Sequence, residues 1–483
     1  MPVENRIVKI QKRNRSLVKF DAARILRAIL RAATSVGGFQ SDYLPQINDK
    51  LFQRGLCDEE LAQFLTEVVV ICLNSNPRHL ISNFPPTIES IQDEVVHALR
   101  SYGLQNTADA YECYRWGRHW LREGALRPEQ FGGNGFPHQA HADTLAWNHA
   151  HDCGALPQVN ALVERGHLKG LVRASLDRYE ESLESAAKGI LGRAESGAGL
   201  RMIWVVGPSS SGKTTTTVKL TERLRSRGLR FLMLNLDDYF WSLVEHPTDW
   251  INDRNYEAPE AIDIQLLNRH LQELLEGRMI QKPVYNFKEG RPTHTKTVKL
   301  EPGQILLLDC LHGLYPPIAE GIDPAIQFRV YIESENGLSL ESGKPIRSTD
   351  IRLLRRMLRD VRYRNHSPIR TLLHWHYVRS GEFFSILSLR GLADQTINAG
   401  FAFELPVLKA FFSGTESHLP AEADFTNFEG FLDAKIRFAR VQEILQATIG
   451  LSVSQTHDYE MIPGDAPIRE FIGGSTLKIP HNE

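Results

Sequence analysis

The eight residues from Gly207 to Thr214 read G-P-S-S-S-G-K-T, which has the residue types and spacing of a phosphate-binding loop. The glycines let the backbone curl, so that successive N–H groups and the start of the next helix face an anion. Lys213 would place its charge between the β- and γ-phosphates, and the Thr214 hydroxyl would bind Mg²⁺. The spacing therefore predicts binding of ATP with Mg²⁺. The predicted nucleotide-binding residues are Gly207, Pro208, Ser209, Ser210, Ser211, Gly212, Lys213, Thr214 and Thr215.

Acidic residues follow two apolar runs that we predict to be strands. Asp237 and Asp238 come directly after R-F-L-M-L-N-L, and Asp309 ends the run Q-I-L-L-L-D. Ligands bind at the carboxyl ends of strands in open α/β sheets, so these carboxylates would lie near the phosphate loop. We predict that the first pair accepts the proton of an acceptor hydroxyl or holds the metal, and that Asp309 is a metal ligand. Acids that cap helices or form turns are the alternative.

A third group is the basic run S-T-D-I-R-L-L-R-R-M-L-R-D, in which arginines recur at spacings of three and four. Arg355, Arg356 and Arg359 would share one side of a predicted helix with Arg352. A mobile helix of this kind could close over the phosphates, neutralise charge in the transition state and exclude water. The alternative is a solvated helix face or a set of ion pairs.

The elements that must position these residues alternate between strands and helices after Leu200. Helices are predicted from Lys213, from about Pro259 and from Asp350. The predicted strands are 202–206, 231–236, 304–309 and 327–332. Such alternation predicts an α/β fold in which the parallel sheet of a P-loop NTPase is flanked by helices.

The domain organisation follows from changes in this pattern. Residues 1–122 are mostly helical and read as a separate domain, with a short strand near Ile7 to Gln11 and an amphipathic helix after Asp21. Residues 123–199 begin rich in Gly and Pro and read as a linker with connecting helices, where a helical pattern resumes at Leu171. The P-loop domain would then span 200–483.

Composition narrows the setting in which this chemistry would occur. The 483 residues carry 56 Lys and Arg against 58 Asp and Glu, a net charge of -2, which gives no overall attraction to nucleic acids or acidic membranes. Five cysteines without C-x-x-C spacing argue against a disulfide framework or zinc ribbon. No apolar run reaches the roughly 18 residues of a membrane span. We expect a cytoplasmic protein without nucleic-acid or membrane partners.

The segment from Met202 to Ser475 is similar to the uridine kinase and phosphoribulokinase family of P-loop kinases. The motifs are G-P-S-S-S-G-K-T-T, L-D-D-Y-F, N-Y-E-A-P-E-A-I-D, P-V-Y-N-F-K-E-G-R, L-H-G-L-Y-P, S-T-D-I-R-L-L-R-R-M-L-R-D, F-E-L-P-V-L-K and R-E-F-I-G-G-S. The resemblance implies that Asp237 is the base toward the acceptor hydroxyl and that the arginine helix is a lid. Family members usually carry Glu-Gly where this chain has Asp309 and Cys310.

The acceptor side departs from the pattern of pyrimidine nucleoside kinases. Those resemble one another in Y-D-F-x-x-H-x-R, whereas this chain reads Y-N-F-K-E-G-R and lacks the histidine that reads the base. Tyr256, Tyr285, Phe287 and Arg291 could still stack on a base and hold a sugar, or the aromatic residues could pack in the core. We predict an ATP-dependent kinase for a hydroxyl of a small molecule, with a nucleoside as the first choice. A kinase of a non-nucleoside such as a sugar phosphate, or a nucleotide-sensing regulator without kinase activity, are the alternatives.

The N-terminal domain resembles the ATP-cone, a regulatory module of ribonucleotide reductases and their repressor. The resemblance is carried by V-K-I-Q-K-R, V-K-F-D-A-A-R-I-L-R-A-I, I-E-S-I-Q-D-E-V-V-H-A-L and A-Y-E-C-Y-R-W-G-R. It implies that Lys12 and Arg13 contact the phosphates of an adenine-nucleotide effector, helped by Arg24. Without the resemblance these are surface charges. The usual Asp-Gly turn is replaced by Asn14 and Arg15, and both families imply a homo-oligomer.

Overall fold

The computed structural model describes most of the chain. The described residues are 4–39, 57–80, 84–131, 138–196, 199–246, 248, 253–286, 289–412, 419, 432–458 and 460–479. These residues belong to two units. The N-terminal unit comprises residues 1–124 with 131–136 and 430–436, and the C-terminal unit comprises 125–130, 137–429 and 437–483.

The N-terminal unit combines a β-hairpin with helices. Its described elements are β1 (Lys9–Gln11), β2 (Leu17–Lys19), α1 (Ala22–Ser35), α2 (Asp58–Ser75), α3 (Ile88–Ser101) and α4 (Gln105–Arg122). Helix α1 begins where the Asp21 side chain accepts a hydrogen bond from the Ala23 N–H at 3.1 Å. The predicted apolar face of α1 is confirmed, since Ile25, Ile29 and Ala32 are buried in the core of this unit.

Four helices connect this region to the strands that follow. They are α5 (Pro128–Phe131), α6 (His138–Ala150), α7 (Leu156–Glu164) and α8 (Leu168–Glu195). The helical pattern predicted from Leu171 is confirmed in α8, whereas α6 and α7 were not predicted. Helix α8 packs within the C-terminal unit, where the Tyr179 hydroxyl lies 2.9 Å from the Thr216 hydroxyl and Ser185 accepts a hydrogen bond from Gln395 at 2.8 Å.

The C-terminal unit is built around strands. The strands are β3 (Met202–Val206), β4 (Arg230–Asn235), β5 (Met279–Asn286), β6 (Arg291–Lys299), β7 (Gln304–Cys310), β8 (Gln327–Glu333) and β9 (Gln395–Asn398). Five of them form one parallel sheet in the order β4-β7-β3-β8-β9. Helices flank this sheet, so the predicted α/β fold class is confirmed. Strand β3 is buried along its whole length, which explains its continuous apolar run.

Helices occupy most of the remaining C-terminal unit. They are α9 (Lys213–Arg225), α10 (Ile264–Leu275), α11 (Ser348–Tyr363), α12 (Pro368–Ser385), α13 (Glu404–Phe412), α14 (Leu432–Ala447), α15 (Val453–His457) and α16 (Arg469–Ile472). The helices predicted from Lys213 and Asp350 are confirmed. The one predicted from Pro259 begins later because residues 259–261 form a short 3-10 turn. No helix within the described ranges is long and apolar enough to cross a membrane.

Strands β5 and β6 form an antiparallel hairpin outside the parallel sheet. The sequence pattern did not predict this hairpin. Strand β6 reads R-P-T-H-T-K-T-V-K and is exposed along nearly all of its length, so it lacks the apolar alternation that marks a half-buried strand.

The register of the parallel strands brings the predicted site residues to one edge of the sheet. Asp309 on β7 pairs with Val205 on β3 and with Asn235 on β4. The phosphate loop begins two residues after Val205, and Asp237 follows two residues after Asn235. Loop and acids therefore meet at the carboxyl end of three neighbouring strands, where ligands bind in open α/β sheets.

Candidate active site

The phosphate loop joins β3 to α9 and depends on glycine at both ends. Gly212 has φ +88°, and Ser210 adopts φ +58°, so the backbone turns twice through the left-handed region. A Cβ on Gly207 would stand 2.7 Å from the carbonyl oxygen of Ile332, which is closer than van der Waals contact allows. The tight turn and the close approach to β8 explain why this loop needs its glycines.

Lys213, Asp309 and Asp237 form a charged cluster at the mouth of this loop. Lys213 Nζ lies 3.1 Å from Asp309 Oδ1. Burial lowers the pKa of Lys213, but the carboxylates of Asp309 and Asp237 together outweigh it, so the pKa stands above its ordinary value. The lysine is therefore held as a cation between the two predicted acids.

The two neighbouring acids Asp237 and Asp238 have different environments. Asp238 forms an ion pair with Lys282 and accepts a hydrogen bond from the Tyr285 N–H at 3.2 Å, so it fastens the β5-β6 hairpin to the sheet edge. The Asp237 N–H donates to Asn235 Oδ1 at 3.0 Å, which fixes the turn that carries its carboxylate. Asp238 is occupied by the hairpin, whereas the charge of Asp237 acts on Lys213.

Thr214 and Asp309 offer a hydroxyl and a carboxylate, which are the hard oxygen donors that Mg²⁺ prefers. Thr214 is half-buried at the second position of α9, and Asp309 is half-buried at the end of β7. In the described part of the chain, no group of three or more His, Cys, Asp and Glu residues could hold a metal ion by itself. The donor set thus fits a metal whose remaining ligands come from a nucleotide and water.

The arginine helix α11 is largely buried, and its first two arginines contact the backbone of the phosphate loop. Arg352 donates to the Ser209 carbonyl at 2.8 Å and pairs with Glu382 at 2.5 Å. Arg355 donates to the Ser210 carbonyl at 3.0 Å and pairs with Glu404. Arg355 and Glu404 are both 0% exposed. Neither a solvated face nor a lid open to solvent describes these two arginines, since their partners already surround them.

Arg356 and Arg359 lie one turn further along the same side. Arg356 donates to the Ser209 hydroxyl at 2.9 Å and pairs with Glu257 at 2.7 Å. Arg359 NH1 lies 3.6 Å from Glu470. Burial, followed by the neighbouring arginines, lowers the pKa of Arg359 to about 10. Closure of these residues over phosphates stays a prediction, whereas in this structure Arg356 contacts the loop and Arg359 contacts Glu470.

Backbone hydrogen bonds join part of the predicted acceptor side to the segment after Asp237. The segment that follows Asp237 pairs with the segment that follows Glu257, through hydrogen bonds from Trp241 N to Ala261 O at 2.9 Å and from Asp263 N to Tyr239 O at 2.8 Å. Burial raises the pKa of Glu257, but Arg356 and His374 outweigh it and keep the pKa below its ordinary value. Glu257 is therefore held as an ionised carboxylate beside Arg356 and His374.

The aromatic residues predicted for the acceptor differ in their surroundings. Tyr256 stacks on His374, with ring centroids 4.3 Å apart and an interplanar angle of 16°. Tyr285 is buried and makes an edge contact with Phe240. Arg291 is exposed and pairs with Glu289 at 2.9 Å, and Phe287 lies outside the described residues. The structure thus places Tyr256 and Glu257 beside His374 but leaves Arg291 on the surface of the hairpin.

The N-terminal unit holds its predicted effector residues on and beside the first hairpin. The turn closes without Asp-Gly because Arg15 adopts φ +64° and the Asn14 side chain accepts from the Ser16 N–H at 3.2 Å. Arg13 Nε lies 2.6 Å from Glu89 on α3. Arg24 is exposed and lies 3.5 Å from Asp21, and Lys12 is exposed. Nucleotide contact by these residues stays a prediction.

Comparison with known proteins gives the family. The sequence model of the Phosphoribulokinase / Uridine kinase family matches residues 202–380. A uridine kinase from Ligilactobacillus salivarius is 30% identical over 169 residues, which are 34% of this chain and 69% of that protein. This chain belongs to the phosphoribulokinase / uridine kinase family. A uridine kinase from Deinococcus deserti is 29% identical over 203 residues, 41% of this chain and 87% of that protein.

The other comparisons cover the rest of the architecture. The model of the ATP cone domain matches residues 8–119, which lie in the N-terminal unit. Among solved structures, a possible uridine kinase from Bacillus stearothermophilus is 22% identical, with a TM-score of 0.27, covering 32% of this chain and 79% of that one. A phosphoribulokinase / uridine kinase domain therefore follows an ATP-cone in one chain, as the two resemblances implied.

Three functional candidates within the family domain were missed or left without a role by sequence reasoning. His312 in L-H-G-L-Y-P is buried, lies 2.8 Å from the Ser385 hydroxyl, and burial lowers its pKa to about 4. Glu470 in R-E-F-I-G-G-S accepts hydrogen bonds from the N–H and hydroxyl of Thr215. Arg352 was placed on the arginine stripe but not among the site residues. The motifs that carry His312 and Glu470 and the arginine stripe were all visible in the sequence, but none of them revealed these contacts.

Proposed function

We propose that the chain is an ATP-dependent kinase that transfers the γ-phosphoryl group to a hydroxyl of a nucleoside, with uridine as the first acceptor to test. The observation that supports this most strongly is the meeting of Lys213, Asp309 and Asp237 beside the phosphate loop. A phosphate loop alone is shared by many nucleotide-binding proteins. An acid placed at its mouth, on the strand next to Asp309, adds the group that a hydroxyl acceptor requires.

The loop would bind the nucleotide through its N–H groups and through Lys213. Arg352 and Arg355 contribute by holding the carbonyl oxygens of Ser209 and Ser210, which turns these peptide units so that their oxygens face α11. Mg²⁺, held by Thr214 and Asp309, would neutralise charge on the phosphates. Much of the catalysis would then come from positioning and from fixed charge.

Asp237 would accept the proton of the acceptor hydroxyl as that oxygen attacks the γ-phosphorus. The bond between the γ-phosphorus and its bridging oxygen breaks, ADP leaves, and the phosphorylated acceptor forms. The Lys213 cation would stabilise negative charge on Asp237 before attack, because opposite charges attract. A base held within reach of the hydroxyl contributes a factor of about 10² to 10⁴.

The surroundings of Glu257 support a neutral acceptor that carries several hydroxyl groups. Glu257 and Asp253 are carboxylates near His374 and Tyr256, and Asp253 lies 2.7 Å from His374 Nδ1. Carboxylates accept hydrogen bonds from sugar hydroxyls, and the face of Tyr256 suits a flat ring. A phosphorylated acceptor would face these carboxylates with like charge. This charge pattern favours a nucleoside over a sugar phosphate.

A non-nucleoside acceptor is the second candidate, and the hairpin supports it. The position of the missing base-reading histidine lies in this hairpin, and Arg291 beside it is 63% exposed and paired with Glu289. Of the predicted acceptor residues in the hairpin that the structure describes, Tyr285 is buried and Arg291 is exposed. An uncharged alcohol has no pyrimidine base, so its binding would not require a base-recognising side chain in the hairpin.

Regulation and setting complete the proposal. The ATP-cone would bind an adenine nucleotide through Lys12, Arg13 and Arg24 and adjust the activity of the kinase domain, in a homo-oligomer as the two families imply. Because the reaction consumes ATP, we propose that it takes place in the cytoplasm, with no nucleic-acid or membrane partner.

The test is ATP consumption by the full chain against nucleosides, sugar phosphates and small alcohols. Asp237→Asn should lower kcat by about 10² to 10⁴ while Mg·ATP binding is retained. Asp323→Asn, an exposed acid in a distant turn, is the matched control and should turn over as the wild type does. Turnover only with a non-nucleoside would select the second candidate. Nucleotide binding without any acceptor-dependent turnover would contradict both and favour a nucleotide-sensing regulator.

A further inference from the structure

The C-terminal motif R-E-F-I-G-G is built into the nucleotide site. Arg469 is buried and donates to the carbonyls of Thr456, at 3.1 Å, and Ile462, which fixes the segment that precedes α16. Phe471 is buried beneath the guanidinium groups of Arg355 and Arg359, at 5.2 and 6.0 Å from its ring centroid. The helix that carries Glu470 is therefore held firmly against α11.

Glu470 directs its carboxylate to the first turn of α9. Its Oε2 accepts hydrogen bonds from the Thr215 N–H at 3.2 Å and from the Thr215 hydroxyl at 3.1 Å. The residue is 3% exposed. The N–H groups at the start of a helix carry partial positive charge and are the donors that anions take. In this structure an anion from the protein itself occupies the Thr215 donors.

The remainder of the loop has the features of a site that awaits a ligand. The hydroxyls of Ser210 and Ser211 are buried and have no hydrogen-bond partner among the described residues. A buried hydroxyl without a partner costs free energy unless something else supplies its hydrogen bond. Phosphate oxygens would do so. Thr215 differs from these two serines because Glu470 already satisfies it.

We propose that Glu470 is a built-in competitor of the nucleotide, which holds the Thr215 donors until a phosphate group of the nucleotide displaces it. This proposal rests on the proposed function, because it requires the phosphate loop to bind ATP. A carboxylate and a phosphate cannot share the same two donors, and their like charges repel at short distance. The carboxylate therefore raises the nucleotide concentration that the site requires.

Arg359 is an ion-pair partner that the Glu470 carboxylate can keep after it leaves Thr215. Its NH1 lies 3.6 Å from Glu470 Oε1, and its Nε is buried without a hydrogen-bond partner among the described residues. When the carboxylate leaves Thr215, it can move toward this guanidinium without becoming an unpaired buried charge. Phe471 follows Glu470 directly and lies beneath Arg355 and Arg359 on α11. Displacement of Glu470 by the nucleotide would therefore also change the contacts of α11.

The experiment measures equilibrium binding of Mg·ADP and of adenosine to the full chain. Wild type, Glu470→Gln and Lys213→Ala are compared, the last to identify binding that occurs outside the phosphate loop. Glu460→Gln is the matched control, since it removes an exposed carboxylate of the same segment, which pairs with Lys169 at 3.1 Å. Glu470→Gln should lower the Kd of the phosphate-loop site for Mg·ADP by about tenfold, as expected for removing a charge at a helix start. Glu460→Gln should leave the Kd unchanged.

Adenosine separates competition from a general change of shape. It has no phosphate, so its Kd should be the same in wild type and Glu470→Gln. An unchanged or higher Kd for Mg·ADP in Glu470→Gln would overturn the proposal, and so would equal tightening of adenosine. Identical Mg·ADP binding by wild type and Lys213→Ala would overturn it together with the proposed function. Should Glu470→Gln fail to fold, Glu470→Asp, whose shorter carboxylate withdraws from Thr215, should also lower the Kd for Mg·ADP.

Discussion

Basic side chains occupy two contrasting regions of this molecule. On α11, Arg352 and Arg355 are buried with carboxylates and with carbonyls of the phosphate loop. On the first hairpin and α1, Lys12 and Arg24 are exposed, and among the described residues Arg24 pairs with the exposed Asp21. Arg355 was predicted to close over the phosphates of ATP, and Lys12, helped by Arg24, to contact the phosphates of an effector. Their surroundings show that one group supports a site and that the other remains accessible to a ligand.

The difference has a physical origin. A buried guanidinium loses its hydration and must regain it from fixed partners, so its geometry becomes part of the fold. An exposed guanidinium keeps its water and gains little from a nearby acid. Arg355 therefore belongs to the framework that shapes the loop, whereas the exposed Arg24 could exchange its partner for a ligand. Burial, more than charge, separates the two roles.

The largest effect should come from breaking the Arg355–Glu404 pair. Arg355→Met would leave the Glu404 carboxylate buried without its cation, which costs about 3–5 kcal/mol of unfolding free energy. Burial already raises the pKa of Glu404 despite Arg355, so the carboxylate depends on this partner. Urea denaturation of the full chain, followed by tryptophan fluorescence, measures the loss.

A double variant tests whether the loss arises from an unpaired charge. Arg355→Met combined with Glu404→Leu removes both members of the pair, and such replacements by apolar residues are often close to neutral. The double variant should therefore unfold at a higher urea concentration than Arg355→Met alone. If Arg355→Met lost less than about 1 kcal/mol of unfolding free energy, Arg355 would contribute no more than an exposed arginine. That result would contradict the distinction between buried and exposed arginines.

Burial should also appear in the pH dependence of stability, through His312. Burial lowers the pKa of this histidine to about 4, whereas an unfolded histidine titrates near 6.5. Between these values the unfolded chain binds the proton and the folded chain does not, so stability falls as the pH decreases. The full loss, reached below the folded pKa, is about 3 kcal/mol.

The matched variant for this prediction is His312→Asn, whose amide can replace the ring nitrogen that faces Ser385. Urea midpoints of wild type and variant are measured from pH 7 to pH 4. The difference in unfolding free energy between the two should shift in favour of the variant as the pH decreases through this range. Parallel pH profiles would show that the histidine binds its proton equally well in the folded and unfolded chains. That result would contradict the lowered pKa of His312.

The apolar strands and the loop between them could be predicted from the sequence because their signals are local. The run at 202–206 is buried on both faces and is continuous in hydrophobic residues, and β7 begins at the predicted Gln304. Strand β6 escaped prediction because it is polar and exposed. Asp309 and Lys213 could be placed together because parallel strands end at one edge.

The roles of the arginines could not be read from the sequence, because their partners are distant in the chain. Glu382 and Glu404 follow α11 at different distances, and neither their burial nor their pairing with Arg352 and Arg355 leaves a local pattern. The same holds for Glu470, whose contact with Thr215 joins residues 255 positions apart. A stripe of arginines indicates charge on one side of a helix, but only packing shows whether that side is exposed to solvent.

The smallest effect on stability, and the counterpart of Arg355→Met, is expected for Arg24→Ala. Arg24 lies 3.5 Å from Asp21 with 71% of its side chain exposed, and such pairs contribute about 0–1 kcal/mol. The variant should unfold nearly as the wild type does but lose much of any change in kinase activity that added ATP or dATP produces through the ATP-cone. Arg27→Ala, another exposed arginine near Asp21, is the control, with the nucleotide response retained. A stability loss as large as that of Arg355→Met would contradict this prediction. It would mean that the fold depends on Arg24 even though its side chain is exposed.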